Sequence, residues 1–291
     1  MFTSTLATAL AACAFMASSG WAQNGSMVTL LAADRAAAER SLREGPGSAL
    51  IAVLGPDGAV LWPGAPVVAE REPVRRLFSG VRFDSTTFTW EPLGAELSAD
   101  STLGLTWGVS LRASVRGGAT PPVGGRYLAS WRLEASRWEL TAIAFTGNAA
   151  PAAAPPKDLP LRLPALTTTG TAGRFVAADL AFAGLAADSG AALAFERWAA
   201  PKARLHGHVL TVGPAAIGRA IGSGGKATWR WHPVLAWTTP AGDFGFTVGE
   251  ATITPENGNI AYSKYLTAWR RFADGRIRFV ADGGNSRPET P

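Results

Sequence analysis

The chain has a single cysteine in 291 residues, Cys13. One thiol makes no internal disulfide, so structure must come from apolar burial. Charge clusters are missing as well. The formal net charge is +5, yet no basic block exceeds Arg75-Arg76 or Arg270-Arg271, and lysine is scarce. Polyanion binding needs cations gathered on one face, so nucleic acid is not an expected partner. No Gly-x-Ser-x-Gly elbow, Gly-x-x-x-x-Gly-Lys-Ser/Thr loop or dinucleotide fingerprint occurs. No cofactor is expected.

Met1 to Ala22 holds no Lys, Arg, Asp or Glu, and Leu6 to Met16 is an almost continuous apolar run. Small residues Gly20 and Ala22 flank Trp21 ahead of polar Gln23-Asn24-Gly25. This reads as a secretory signal over 1–22, too short for a stable membrane span, and predicts an exported, periplasmic or secreted protein. Leu10-Ala11-Ala12-Cys13 has the shape of a lipid-attachment box. The short segment before it lacks basic residues and apolar residues continue beyond it, so anchoring at Cys13 is the weaker reading.

What is abundant is repetition. Gly125-Arg126-Tyr127-Leu128-Ala129-Ser130-Trp131-Arg132 returns as Ser263-Lys264-Tyr265-Leu266-Thr267-Ala268-Trp269-Arg270. Upstream, Trp90, Pro92, Gly104, Thr106 and Gly108 match Trp231, Pro233, Gly245, Thr247 and Gly249, and Ala32-Ala33-Asp34 matches Ala177-Ala178-Asp179. Two long copies in one order indicate a duplicated domain, not a solenoid. The copies are expected at 27–147 and 172–285, joined by a proline- and alanine-rich connector at 148–168 that favours neither helix nor ladder.

Each copy opens with an alanine-rich helical stretch, Met27 to Arg43 and Arg174 to Ala187, then a second short helix, a short strand and a helical turn. Period-two alternation then predicts four strands per copy, ending with Trp138 to Phe145 and Ile277 to Ala281. Helices followed by a meander give an α+β plan with helices on one face of a curved antiparallel sheet.

The order Trp-x-Pro, Gly-x-Thr-x-Gly, Tyr-x-x-x-Trp-Arg, turn and closing strand resembles the nuclear transport factor 2-like superfamily, more narrowly its SnoaL-like or ketosteroid-isomerase-like branch. The resemblance implies two cone-shaped α+β barrels, each with an apolar pocket at its wide end. It also implies sheet-to-sheet packing of paired units. Here both units share a chain, so an intramolecular pseudo-dimer and a monomeric protein are expected. The fold hosts isomerases, dehydratases, hydrolases and plain binding modules, so it does not fix the chemistry.

Isomerases of this fold use a carboxylate base with a Tyr and a protonated Asp, and that set is not assignable from this sequence. Asp34 and Asp179 sit on the first helix of each copy, where a lone Asp is ordinarily solvated or capping. Asp282 has Ile143 as its counterpart and precedes Gly283-Gly284, which reads as a turn former. His206 and His208 straddle Gly207 on a predicted strand, facing one side with Arg204; with His232 they suggest a polar pocket rim or exposed strand face, not a metal site. Tyr127 and Tyr265 alternate with Trp131 and Trp269 and are the candidate polar handles, beside Trp62 and Trp231 as pocket aromatics.

The leading expectation is a two-domain protein that binds a small apolar or aromatic molecule without turning it over. The second copy, with its histidines, Tyr265, Asp179 and Asp282, is expected to hold the ligand. The alternatives are an isomerase, dehydratase or hydrolase acting in that pocket, and an assembly module with vestigial pockets. N-terminal sequencing of the exported protein is expected to start at Gln23; an intact Met1 or a lipidated Cys13 would contradict the leader assignment.

Overall fold

The computed structural model describes residues 25–79, 83, 86–114, 121–147, 149–150, 171–256 and 258–289. The expected leader, Cys13 and nearly all of the proline-rich connector lie outside the described residues.

The first unit begins with α1 (Met27–Glu44) and α2 (Pro46–Val53). Ser26 opens α1 with a capping box: its side chain accepts from the Thr29 backbone N–H while Thr29 Oγ1 accepts from the Ser26 N–H, each at 3.1 Å. Gly45, at φ +83°, ends it in a conformation that disfavours a side chain, and Pro46 starts the next helix at once. Then come β1 (Leu54–Leu61), β2 (Val68–Ala69) and α3 (Arg71–Ser79). The meander follows as β3 (Thr86–Leu97), β4 (Leu103–Ser114), β5 (Val123–Glu134) and β6 (Arg137–Gly147).

The second unit repeats the order. Its elements are α4 (Ala172–Ser189), α5 (Ala191–Trp198), β7 (Ala199–His206), β8 (Leu210–Val212) and α6 (Pro214–Gly222). They are followed by β9 (Ala227–Thr238), β10 (Phe244–Pro255), β11 (Ala261–Arg271) and β12 (Ile277–Ser286).

Each unit is an α+β cone built on a six-stranded sheet, ordered β2-β1-β6-β5-β4-β3 and β8-β7-β12-β11-β10-β9. The expected sheet was purely antiparallel. The observed one is mixed, because β1 runs parallel to β6 and β7 parallel to β12. That pairing joins strands far apart in sequence, which local alternation does not reveal. The last strand also runs past Ala281 to Ser286, so Asp282 is a strand residue rather than a turn former.

Alternation sends Thr106, Tyr127 and Trp131 toward α1 and turns Leu105 and Leu128 outward. Leu105, Leu128, Ala142 and Ala144 of the first sheet share one apolar cluster with Phe246, Val248, Leu266 and Ala268 of the second. The two sheets therefore meet face to face. Polar contacts tie the rim of this seam: Trp237 Nε1 donates to Asp57 at 3.0 Å, and Arg270 pairs with Glu96 at 2.6 Å. Asn285 Nδ2 donates to the carbonyls of Leu61 and Phe145 at 2.7 and 2.8 Å.

Removing the Asn285 side chain takes a donor from two carbonyls of the first unit and leaves the Lys264 ammonium with the Ser286 carbonyl alone. Asn285→Ala is expected to lower unfolding free energy by about 2 kcal/mol, measured by urea denaturation. A change near zero would show that the rim bond contributes little.

Candidate functional site

A buried carboxylate sits at the centre of each cone. Asp34 and Asp179 are almost fully enclosed, contrary to the expectation of solvated helix residues. Trp90 Nε1 and Tyr127 OH donate to the two oxygens of Asp34, each at 2.7 Å. Trp231 Nε1 and Tyr265 OH do the same for Asp179 at 2.9 and 3.0 Å. The threonine of Gly-x-Thr-x-Gly completes each set. Thr106 and Thr247 accept from Trp131 Nε1 and Trp269 Nε1 at 2.9 and 2.8 Å, and each hydroxyl favours the charged form of its aspartate, partly opposing burial. The glycine two residues on makes room: a Cβ on Gly249 would stand 2.2 Å from Tyr265 OH.

The repeated residues thus encode an aspartate held by Trp, Tyr and Thr, which pins the long helix to the sheet in both copies. Burial raises both carboxyls above the ordinary 3.8, Asp179 to about 6, and pushes both tyrosines well above their ordinary range.

The copies differ just beyond these aspartates. Around Asp34 the interior is packed with rings: Trp62 meets Phe78, Phe88 and Phe145 edge-on at 4.9, 5.2 and 5.4 Å. Trp62 is therefore a filler of the first cone, and Tyr127 and Trp131 beside it are sealed from solvent.

Strand register identifies what replaces these rings in the second copy. Phe145 pairs with Tyr127, whereas Gly284 pairs with Tyr265. Leu61 pairs with Ala144 and His206 with Gly283, so the residue after each, Trp62 or Gly207, is equivalent. Two large rings have become two glycines. A cavity of about 420 Å³ stands there, walled by Phe182, Phe195, Ile221, Trp229, Trp231 and Tyr265.

Ser263, Lys264 and Asn285 are among the polar residues that border this cavity, and one polar pair in its wall has no counterpart in the first copy. Thr267 faces Asp282 where the first copy pairs Ala129 with Ile143. Thr267 Oγ1 donates to Asp282 at 2.5 Å. Burial, with repulsion from Asp179 adding to it, raises Asp282 to about 7.

The other expected site residues are distributed elsewhere. Trp269 is core, bonded to Thr247. His232 is exposed on β9, outside the cavity. His206 borders the cavity, but its side chain lies on the seam face of β7 with Arg204, which stacks 4.2 Å over Trp107 of the first unit. Burial, then Arg126 and Arg204, push its pKa down to about 3. His208 faces the first unit, beside Gly147. Among the described residues no group of three His, Cys, Asp or Glu gathers to hold a metal. The wall residues Phe182, Phe195, Ile221 and Trp229 were not anticipated; their signal lay in comparing the copies at Trp62/Gly207 and Phe145/Gly284.

No family model matches the chain, and no curated protein matches it. Solved structures do. A ketosteroid isomerase-like protein from Erwinia carotovora atroseptica is 18% identical, with a TM-score of 0.32, covering 40% of this chain and 93% of that one. An NTF2-like protein with a cystatin-like fold from Novosphingobium aromaticivorans is also 18% identical, with a TM-score of 0.33, covering 40% and 82%. Each match is thus about one unit long, and the likeness concerns fold and not activity.

Asp179 and Asp282 make stability depend on pH. Their folded values lie above 3.8, so the folded protein keeps protons that the unfolded chain has released. Their contribution is full below about pH 4 and is lost as pH rises through 6 and 7. Urea unfolding is expected to show lower stability at about pH 8 than at about pH 5, with a smaller drop in Asp282→Asn. An unchanged drop would mean that Asp282 keeps an ordinary pKa.

Proposed function

We propose that the second domain binds a small, uncharged, largely apolar or aromatic molecule, and that the first domain is its filled, non-binding partner. The observation that carries this is the cavity left where Trp62 and Phe145 are replaced by Gly207 and Gly284. Apolar walls with few convergent polar groups are what small-molecule sites present. Asp282 and Thr267 supply those groups, suited to a hydroxyl or carbonyl on the ligand. This reading takes the chain to be exported, on the strength of the leader-like Met1 to Ala22, and monomeric, on the strength of the shared seam.

A second reading, acid–base catalysis, is favoured by one observation. Asp282 faces the cavity with a pKa near 7, where a carboxyl can both give and take a proton. The Tyr265–Asp179 contact does not favour it, because Tyr127 and Asp34 make the same contact inside a packed interior.

Gly207→Trp restores the missing ring; the nearest atom to its Cβ would be 3.7 Å away, so the backbone tolerates it. Titration with 2-naphthol, followed by tryptophan fluorescence, is expected to saturate in the parent protein. Affinity should fall roughly tenfold or more in Gly207→Trp while the melting temperature holds. Equal binding by both proteins would refute the cavity assignment. In heavy water, Asp282-dependent exchange of protons beside the carbonyl of a bound aromatic ketone would favour catalysis; exchange unaltered in Asp282→Asn would remove it.

A further inference from the structure

The seam between the sheets has two ends related by the repeat, and their polar groups are treated differently. At one end Lys264 Nζ donates to Asn285 Oδ1 and to the Ser286 carbonyl, the latter at 2.7 Å. Glu250, paired in register with Lys264, lies 3.7 Å from Arg287. Cation, acid and amide are all engaged.

At the other end the register places Arg126 for Lys264, Val109 for Glu250 and Thr146 for Asn285. The cation is kept and its acid is gone. Among the described residues Arg126 has no ion pair, and its buried Nε has no hydrogen-bond partner. Thr146 Oγ1, Ser110 Oγ and both ring nitrogens of His206 are likewise buried and unpartnered. These residues adjoin one another. Thr146 Cγ2 and His206 Cβ converge on Gly283, at 3.4 and 3.0 Å from where its Cβ would stand, and Ser110 Oγ is 2.8 Å from the same point on Gly125. Arg204 adds a second cation, stacked on Trp107 with no acid beside it.

Beside this cluster is an opening of about 430 Å³, lined by Ser110, Arg126 and His208 on its polar side and by Trp90, Val109 and Leu111 on its apolar side. Glu91 is exposed at the rim. Folded proteins rarely leave so many buried polar atoms unpaired in one place. Water could satisfy the hydroxyls, but it does not neutralise two cations. A guanidinium fork is matched by a carboxylate.

We propose that this end of the seam binds a small organic carboxylate, its anionic group on Arg126 and Ser110 and its apolar body on Val109 and Trp90. The site joins the domains, since His208 comes from the second unit and Arg126 and Ser110 from the first. It is separate from the cavity behind Tyr265, and its failure would leave that reading untouched.

Calorimetric titration of the full chain with benzoate, benzyl alcohol and inorganic phosphate tests it. Benzoate is expected to bind one per chain, with benzyl alcohol and phosphate roughly tenfold weaker or worse. Arg126→Met should weaken benzoate by about tenfold or more. Val109→Glu supplies the acid that the second copy possesses, and should abolish binding while melting no lower than the parent. Gly207→Trp should bind benzoate normally, separating the two sites. No saturable benzoate binding, undiminished binding in Val109→Glu, or loss in Gly207→Trp would overturn the proposal, and phosphate binding as tight as benzoate would overturn its carboxylate class.

Discussion

Everything in each unit is arranged around one buried carboxylate. An aspartate in the interior is costly unless its oxygens are bonded, and here a tryptophan, a tyrosine and a threonine meet that demand. Because the aspartate is on the long helix and its donors are on three strands, the bonds fix the helix against the sheet at one depth and rotation. The second glycine of Gly-x-Thr-x-Gly follows from the same constraint, since the tyrosine ring occupies the space a Cβ would take, and the first leaves room for Leu30 or Phe175 of the long helix. Motif residues that look like a dispersed signature are one contact set.

A support of this kind tolerates change around it. In the first unit Trp62, Phe88 and Phe145 complete a ring-packed interior. In the second, two glycines take the place of two rings, and an Ala–Ile contact becomes Thr267–Asp282. The two exchanges belong together, because a polar pair beside a space that admits solvent or ligand is tolerable, whereas in a ring-packed interior it would be an unpaired burden. One unit has kept packing and the other has gained a cavity, with the shared seam holding both.

The seam shows the same division. Its apolar centre is symmetric in character, but its rims are not: Lys264, Asn285 and Glu250 are engaged at one end, while Arg126, Thr146 and Val109 stand at the other. Duplication within one chain permits this, because each copy of an interface can then diverge alone, which identical subunits cannot do.

The sequence by itself determined the duplication, the helical and strand segments and the α+β class, because apolar periodicity and turn residues are local properties of the chain. It also contained the exchange of Trp62 for Gly207 and of Phe145 for Gly284, legible once the copies are aligned strand by strand. Tertiary structure alone decided that Asp34 and Asp179 are buried hubs, since an aspartate on a helix reads as solvated until the strands that cover it are placed. It moved Asp282 from a turn into a cavity wall, set the His206 side chain between that cavity and the seam, and paired the short strands β1 and β7 in parallel with β6 and β12. Each of these depends on contacts between residues far apart in the chain, whose partners are chosen by the closing of the sheet and not by any neighbour in sequence.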